Sequence, residues 1–341
     1  MERGRPGSGV GAQVEMAVSP EVRCLVVGRS PTPAPEVLAR LDRGVELVGP
    51  GAGVGGGHFD CIWRLFGGQL EGGRQDPLEA GLNAHPEVRW VHTVSAGIDH
   101  LGPLLERHPR VTLTTSAGVV AVPIAEFVLA CLLHHCKRLA DLEELQRQHR
   151  FEVVPLRELG DLRVVLVGLG AIGNEVARRA LALGARVIAV RRRPELGGGP
   201  HRLPVVGPEG LTEACRGADA LVLAAPLTGS SRGMIGDPEL RQMADGSALV
   251  NIARGGLVDE PALLRALAGG PLAAAYLDAF DEEPLPESSP LWTAPGAHLS
   301  PHVSWSSPHF SRRSTELFVD QLNRFRQGLP LLNVADLAQG Y

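Results

Sequence analysis

Short apolar runs alternate with helix-period stretches along nearly the whole chain. VRCLVV at Val22–Val27 reads as a buried strand, and Val45–Val48, Cys61–Phe66, Arg89–Val94 and Val111–Thr114 repeat the pattern. Most of these runs are rich in β-branched residues and end near Gly, Pro or Asp. A helix is predicted at about 35–42, and a long one starts near Pro123 and runs to about 148. A second alternation follows, with strands at Arg163–Val167, Arg186–Val190, Ala220–Leu223, Ser247–Ile252 and Ala273–Leu277. Its helices fall at Ala171–Leu183 and at about 209–216, 238–243 and 260–268. A last helix, about 311–327, precedes the apolar tail LPLLNVADL. Such alternation calls for parallel sheets covered by helices. The pattern therefore predicts two α/β units joined by a long helix.

Composition narrows the class. At 341 residues the chain is long enough for about two domains, and 44% hydrophobic against 21% charged residues excludes wholesale disorder. The net charge of −5 removes the electrostatic reason to expect nucleic acid or an anionic membrane as partner. No apolar run reaches the roughly 20 residues of a membrane helix; the best, 117–133, is broken by Pro123 and Glu126. Lys137 is the sole lysine and lies in no GxxxxGK[ST] motif, so a phosphate-loop lysine is excluded. Cys24, Cys61, Cys131, Cys136 and Cys215 are odd in number and widely spaced, and residues 1–18 lack the apolar stretch of a signal peptide. Both features fit a reducing cytoplasm, with 1–18 read as a disordered leader. Gly51–Gly57 (GAGVGGG) has GxG spacing but no following helix, and reads as a flexible loop.

The strongest local motif is VVLVGLGAIGNEVARRALALGARVIAV. Gly168, Gly170 and Gly173 form G-x-G-x-x-G between a strand and a helix. The first glycine permits the tight turn, the second lets backbone approach a pyrophosphate, and the third lets helix and strand pack closely. The helix N-terminus then offers free N–H groups and a positive dipole to the phosphates. A dinucleotide site usually has Asp or Glu at the end of the next strand, to bind the ribose hydroxyls. Here Arg191 stands there, followed by Arg192, Arg193 and Pro194. Guanidiniums bind a 2′-phosphate that a carboxylate would repel, so NADP(H) is expected ahead of NAD(H); the alternative is a solvated arginine run.

A second constellation is spread over NIARGGLVDEPALLRAL, LDAFDEEPLP and SPHVSW, which hold Arg254, Asp278, Glu283 and His302. Arg254 suits a substrate carboxylate and its carbonyl. His302 suits proton exchange with the carbonyl oxygen, and Glu283 suits holding the imidazole and its positive charge. Spacing alone does not single out this grouping. Cys131, His134, His135 and Cys136 look like a metal cluster, but on one helix only Cys131 and His135 share a face. They read as ordinary helix residues, and His298 and His309 as surface residues.

Taken together, WVHTVSAGIDHL, GLGAIG, APLTGSSRGMI, NIARGGLVDEPAL, LDAFDEEPLP and SPHVSW make the chain resemble the D-isomer-specific 2-hydroxyacid dehydrogenases over about 20–341. The steps of 29 residues from Arg254 to Glu283 and 19 to His302 match the family's pattern. The resemblance implies two doubly wound parallel-sheet domains, Rossmann- and flavodoxin-like, with the cofactor domain (119–307) inserted in the substrate domain (19–118 and 308–341). It implies Arg254, Glu283 and His302 as the catalytic trio and Asp278 as the group holding the nicotinamide carboxamide. Ala171 and Ile172 would lie over the pyrophosphate, and Ala225, Pro226 and Ile252 beside the cofactor. The backbone of Ser95, Ala96 and Gly97 would grip the substrate carboxylate. Trp63 would lie near a substrate-covering loop, or else be a core aromatic at a strand end. Arg191 in place of the usual acid matches the family's NADP-using glyoxylate and hydroxypyruvate reductases. Glu283 argues against formate dehydrogenase, and the chain ends soon after the last helix, without the regulatory extension of long phosphoglycerate dehydrogenases. The expected activity is hydride transfer between NADP(H) and a small 2-oxo acid, in a homodimer. The alternative is a dinucleotide-sensing, corepressor-like scaffold from the same superfamily.

Overall fold

A computed structural model describes residues 21–28, 31–41, 44–49, 57–66 and 76–336. The leader and most of the Gly51–Gly57 loop lie outside the described residues. The first sheet comprises β1 (Val22–Val27), β2 (Val45–Val48), β3 (Cys61–Arg64), β4 (Trp90–Thr93) and β5 (Thr112–Thr115). They run parallel in the order β2-β1-β3-β4-β5. Helices α1 (Pro35–Leu38), α2 (Pro77–Ala84) and α3 (Gly102–Glu106) connect them. The sequence pattern did not predict α2 or α3, although Asp76 caps α2 by accepting from Leu78 N and Pro77 opens its first turn.

The single long helix expected after Pro123 is two helices, α4 (Ala121–Cys136) and α5 (Leu139–Arg147). Arg138 breaks them with a left-handed backbone, φ +47°. The cause lies in burial. The face of α4 carrying Ala125, Val128 and Leu132 is fully buried, whereas α5 buries no residue and has no core to follow.

The second sheet holds seven parallel strands: β6 (Arg163–Val167), β7 (Arg186–Val190), β8 (Val205–Val206), β9 (Ala220–Leu223), β10 (Ser247–Asn251), β11 (Leu272–Leu277) and β12 (Ala297–Leu299). Their order is β12-β11-β10-β9-β6-β7-β8. β8 and β12 are edge strands too short to show a hydrophobic pattern. Helices α6 (Ala171–Ala182), α7 (Leu211–Cys215), α8 (Asp237–Leu240) and α9 (Glu260–Gly269) accompany this sheet. Val164, Val165 and Leu166 of β6 are buried on both faces, as a central parallel strand must be.

The last helix, α10 (Phe310–Arg326), packs against α1, and its Phe318 stacks on Trp63 of β3, with centroids 3.9 Å apart and planes 5° from parallel. Beyond it the apolar tail pairs antiparallel with β5: Thr115 N donates to Asn333 O and Ala335 N to Leu113 O. The last described residues thus return to the first sheet.

Candidate active site

Both sheets have a point where the strand order reverses, between β1 and β3 and between β6 and β9. Ligands of open parallel sheets bind outside the carboxyl ends of strands at such points. A cleft of about 980 Å³ lies there, lined from both units.

On the second sheet the glycine motif forms a tight strand-to-helix turn. Gly168 has φ +99°, and a Cβ there would fall 2.6 Å from the Ala224 backbone. A Cβ on Gly173 would meet Gly168 O at 2.0 Å, so the helix reaches the strand only without a side chain. At Gly170 a Cβ would meet no atom within 4 Å. This open position is the N-cap of the 12-residue α6, which has no side-chain cap, so its first N–H groups are available to an anion. Ala171 is exposed on the first turn, while Ile172, Ala225, Pro226 and Ile252 line the cleft. Arg191 follows β7, with Nη1 donating to Gly197 O at 2.9 Å, and Arg192 next to it is exposed. These residues fit a dinucleotide.

The structure brings Arg254, Glu283 and His302 into this one cleft. Glu283 Oε2 and Oε1 lie 2.9 and 3.2 Å from His302 Nδ1, which leaves Nε2 for a ligand. Phe280 N donates to Glu283 Oε1 and fixes the carboxylate. His302 has φ +52°, a conformation unusual for a non-glycine residue, and its carbonyl accepts from Trp305 Nε1 at 2.8 Å. Arg254 follows β10 in a turn held by Asn251, whose Nδ2 donates to Arg254 O and whose Oδ1 accepts from Ala253 N. The Arg254 guanidinium crosses the cleft. Its Nε and Nη2 donate to Asp99, at 2.9 Å for the shortest contact, and Nη1 donates to Ala253 O. A Cβ on Gly97 would lie 2.2 Å from Arg254 Nη2, so the Ser95, Ala96 and Gly97 loop and the arginine meet directly. Burial works to raise the Asp99 carboxyl pKa, but the Arg254 guanidinium outweighs it and holds the carboxyl below its ordinary value.

Two expected positions lie buried, outside the cleft wall. Trp63 does not line the cleft: it is 1% exposed, in the core against Phe318, because side chains of β3 alternate and Trp63 faces α10. Its neighbour Arg64 lines the cleft instead. Asp278, at the end of β11, is 1% exposed and is not among the cleft-lining residues. Its carboxylate accepts from Ser300 Oγ, Val303 N and Ser304 N at 2.6, 2.9 and 2.9 Å, and so ties down the loop that carries His302. Asp99, Asn251 and Arg64 were not singled out in the sequence. Asp99 lies in the quoted segment WVHTVSAGIDHL, two residues past Gly97, and Asn251 opens the quoted segment NIARGGLVDEPALLRAL, so both were within reach of sequence reasoning, whereas Arg64 lies in no quoted motif. His298 is half-buried rather than fully exposed: it stacks on Tyr276, whose hydroxyl lies 2.8 Å from His134 Nδ1.

Residues 129–304 match the model of the D-isomer specific 2-hydroxyacid dehydrogenase NAD binding domain. The chain is 32% identical to a glyoxylate reductase of Korarchaeum cryptofilum over 266 residues, 74% of this chain and 78% of the relative. It is 29% identical to glyoxylate/hydroxypyruvate reductase A of Escherichia fergusonii over 284 residues, 79% of this chain and 89% of the relative. A D-isomer specific 2-hydroxyacid dehydrogenase of Xanthobacter autotrophicus, solved in complex with NADPH and MES, superposes with a TM-score of 0.81 at 27% identity, covering 94% of this chain and 100% of that one. The chain belongs to the D-isomer specific 2-hydroxyacid dehydrogenase family. It is an oxidoreductase with an NAD-binding domain of Rossmann type, and the catalytic reading is favoured over the scaffold alternative.

Proposed function

We propose that this enzyme reduces small 2-oxo acids, glyoxylate and hydroxypyruvate first among them, to 2-hydroxy acids, with NADPH preferred to NADH. The observation that carries the reading is the Glu283–His302 pair in one cleft with Arg254, a cleft that Ile172 of the Gly168–Gly173 turn also lines. When bound, the nicotinamide supplies a hydride to the carbonyl carbon. The backbone N–H groups of Ala96 and Gly97 and the Arg254 guanidinium hold the substrate carboxylate, while Ser95 N–H already donates to Thr93 Oγ1 at 3.3 Å. Arg254 also opposes the negative charge that grows on the carbonyl oxygen. Protonated His302 delivers a proton to that oxygen from Nε2, while Glu283 on Nδ1 fixes the ring and balances its charge. Arg191 and Arg192 receive the 2′-phosphate. The crystallised Xanthobacter relative was solved with NADPH, and a Sinorhizobium meliloti relative, 25% identical with a TM-score of 0.78, is described as an NADPH-dependent glyoxylate/hydroxypyruvate reductase in complex with NADP and sulfate. Both support this choice.

Residues 119–307 would act as the dinucleotide unit, inserted between the 19–118 and 308–341 parts of the substrate unit; α10 packing on α1 supports that division. A homodimer through the dinucleotide unit is supported by the segment after α5, where Phe151 and Val153 are 106% and 96% exposed. Five buried free thiols support a reducing compartment, the cytoplasm. No described helix is long and apolar enough to cross a membrane. The test is NADPH and NADH oxidation, followed by absorbance, with glyoxylate, hydroxypyruvate and phenylpyruvate. No turnover with any of them would reject the reading.

A further inference from the structure

Arg64 is the last residue of β3, and its side chain, only 10% exposed, lines the cleft. A charge buried to that degree needs partners. Among the described residues its one side-chain partner is Asp76 Oδ2 at 3.4 Å, long for a hydrogen bond. Asp76 is already divided, since its Oδ1 accepts from Leu78 N at 2.8 Å to cap α2. A five-donor guanidinium and a carboxylate oxygen with spare accepting capacity therefore stand side by side in the wall. They stand next to the reaction site. Arg64 pairs with Thr93 of β4, and Val94 N donates to Arg64 O just before the Ser95–Gly97 loop begins. His100 senses both ion pairs: burial first, then the Arg64 charge, holds its imidazole below the ordinary histidine range, with Asp99, Arg254 and Asp76 also acting on it.

Charge decides what fits. Arg64 with Asp76 and Arg254 with Asp99 cancel pairwise, and His100 is biased toward its neutral form. A second carboxylate on the substrate would have to lie against the Asp76 carboxylate as well as Arg64. An apolar substituent would leave both partners under-used. A hydroxyl accepts from the guanidinium and donates to the carboxylate. We propose that Arg64 and Asp76 form a subsite for a hydroxyl on C3 of the substrate, so that the preferred substrate is a 3-hydroxy-2-oxo acid. This rests on the reductase reading above, and makes Arg64 a specificity-determining residue.

The experiment compares kcat/KM for hydroxypyruvate, pyruvate (hydrogen in place of that hydroxyl) and glyoxylate (no C3), in wild type, Arg64→Met and Arg64→Lys. Wild type is expected to favour hydroxypyruvate over pyruvate by at least about tenfold, because a site built to bond a hydroxyl rejects its absence. In Arg64→Met the ratio of hydroxypyruvate to glyoxylate kcat/KM should fall about 30-fold, the scale of a lost charged hydrogen bond. A pair that only braces the fold would lower both values and leave the ratio in place, which overturns the proposal. If Arg64→Met fails to fold, Arg64→Lys keeps the charge but loses the planar fork, and the same ratio should still fall at least about threefold. An unchanged ratio in Arg64→Lys, or a wild type indifferent to the hydroxyl, overturns it as well. A wild type that reduces none of the three acids rejects the reductase reading itself, an outcome that needs no variant to recognise.

Discussion

The Arg254 guanidinium is split between two uses. Its Nε–Nη2 edge is held by Asp99 and one Nη1 proton by Ala253 O, which leaves donors on Nη1 and Nη2 for the substrate. His302 is likewise half committed, with Nδ1 on Glu283 and Nε2 left for chemistry. Replacing His302 by Ala should lower kcat at least about 100-fold, the usual worth of a positioned acid. NADPH affinity, read by fluorescence titration, should hold, because the Gly168–Gly173 turn lies on other elements; near-normal kcat would remove His302 from the mechanism. Cofactor choice is a residue-scale matter too. Arg191→Asp with Arg192→Ser should raise the KM for NADPH at least about tenfold and leave that for NADH nearly unmoved, since each charged contact contributes roughly 1.5–3 kcal/mol. Equal kcat/KM with NADH and NADPH in wild type would make the arginine run only a solvated face. Arg254, Glu283 and His302 were legible because short motifs in a set order named them. Trp63 kept two readings in the sequence and Arg64 beside it was passed over, because neighbours on a strand face opposite sides and the sequence does not say which side holds the ligand. The resemblance implied Asp278 as the group holding the nicotinamide carboxamide; its three hydrogen bonds to the His302 loop were invisible in sequence.

At the scale of elements, the glycine turn separates folding from binding. A Cβ on Gly173 collides with the Gly168 carbonyl, which is backbone and cannot step aside, whereas at Gly170 it would enter open space. Gly173→Ala should therefore lower the thermal midpoint, at a cost of about 1–3 kcal/mol. Gly170→Ala should melt like wild type and yet bind NADPH at least about tenfold more weakly, because it fills the position where backbone meets pyrophosphate. Wild-type affinity in a normally melting Gly170→Ala would place the dinucleotide elsewhere. The strands around this turn were readable because fully buried parallel strands are continuous apolar runs. The α4–α5 break was not, since LADLEELQRQ continues a helical period and the left-handed Arg138 is imposed by where the core ends. Helix α2 escaped because its eight residues are too few for a clear period, although Asp76-Pro77 carried the start signal.

Across the whole molecule, the return of α10 to the first sheet makes that sheet depend on both ends of the chain. Sequence pattern alone showed only a trailing helix; its partner became legible through the family resemblance, because long-range packing leaves no local period. At this junction lies His92, in the centre of β4 and fully buried beside Phe318. Ser116 Oγ donates to Thr93 O, so it accepts from His92 Nε2–H, and the Thr114 hydroxyl is 2.8 Å from Nδ1. The network suits a neutral ring, and burial pushes the His92 pKa down to about 3. The unfolded chain takes up a proton near the ordinary value of about 6.5. Between those two values the unfolded state binds the proton and the folded state refuses it, so stability falls as pH drops below about 6.5 and levels off below about 3. By about pH 5 the loss is roughly 2 kcal/mol relative to neutral pH. His92→Gln removes the titration. It should be less stable than wild type at about pH 7.5 through lost packing, but it should lose roughly 2 kcal/mol less on going to about pH 5, measured by urea unfolding at both pH values. The remaining titratable groups are common to both proteins, so the difference isolates His92. Equal acid losses in the two would show that this histidine enters the folded state charged, and that the Thr114–Ser116 network tolerates an imidazolium.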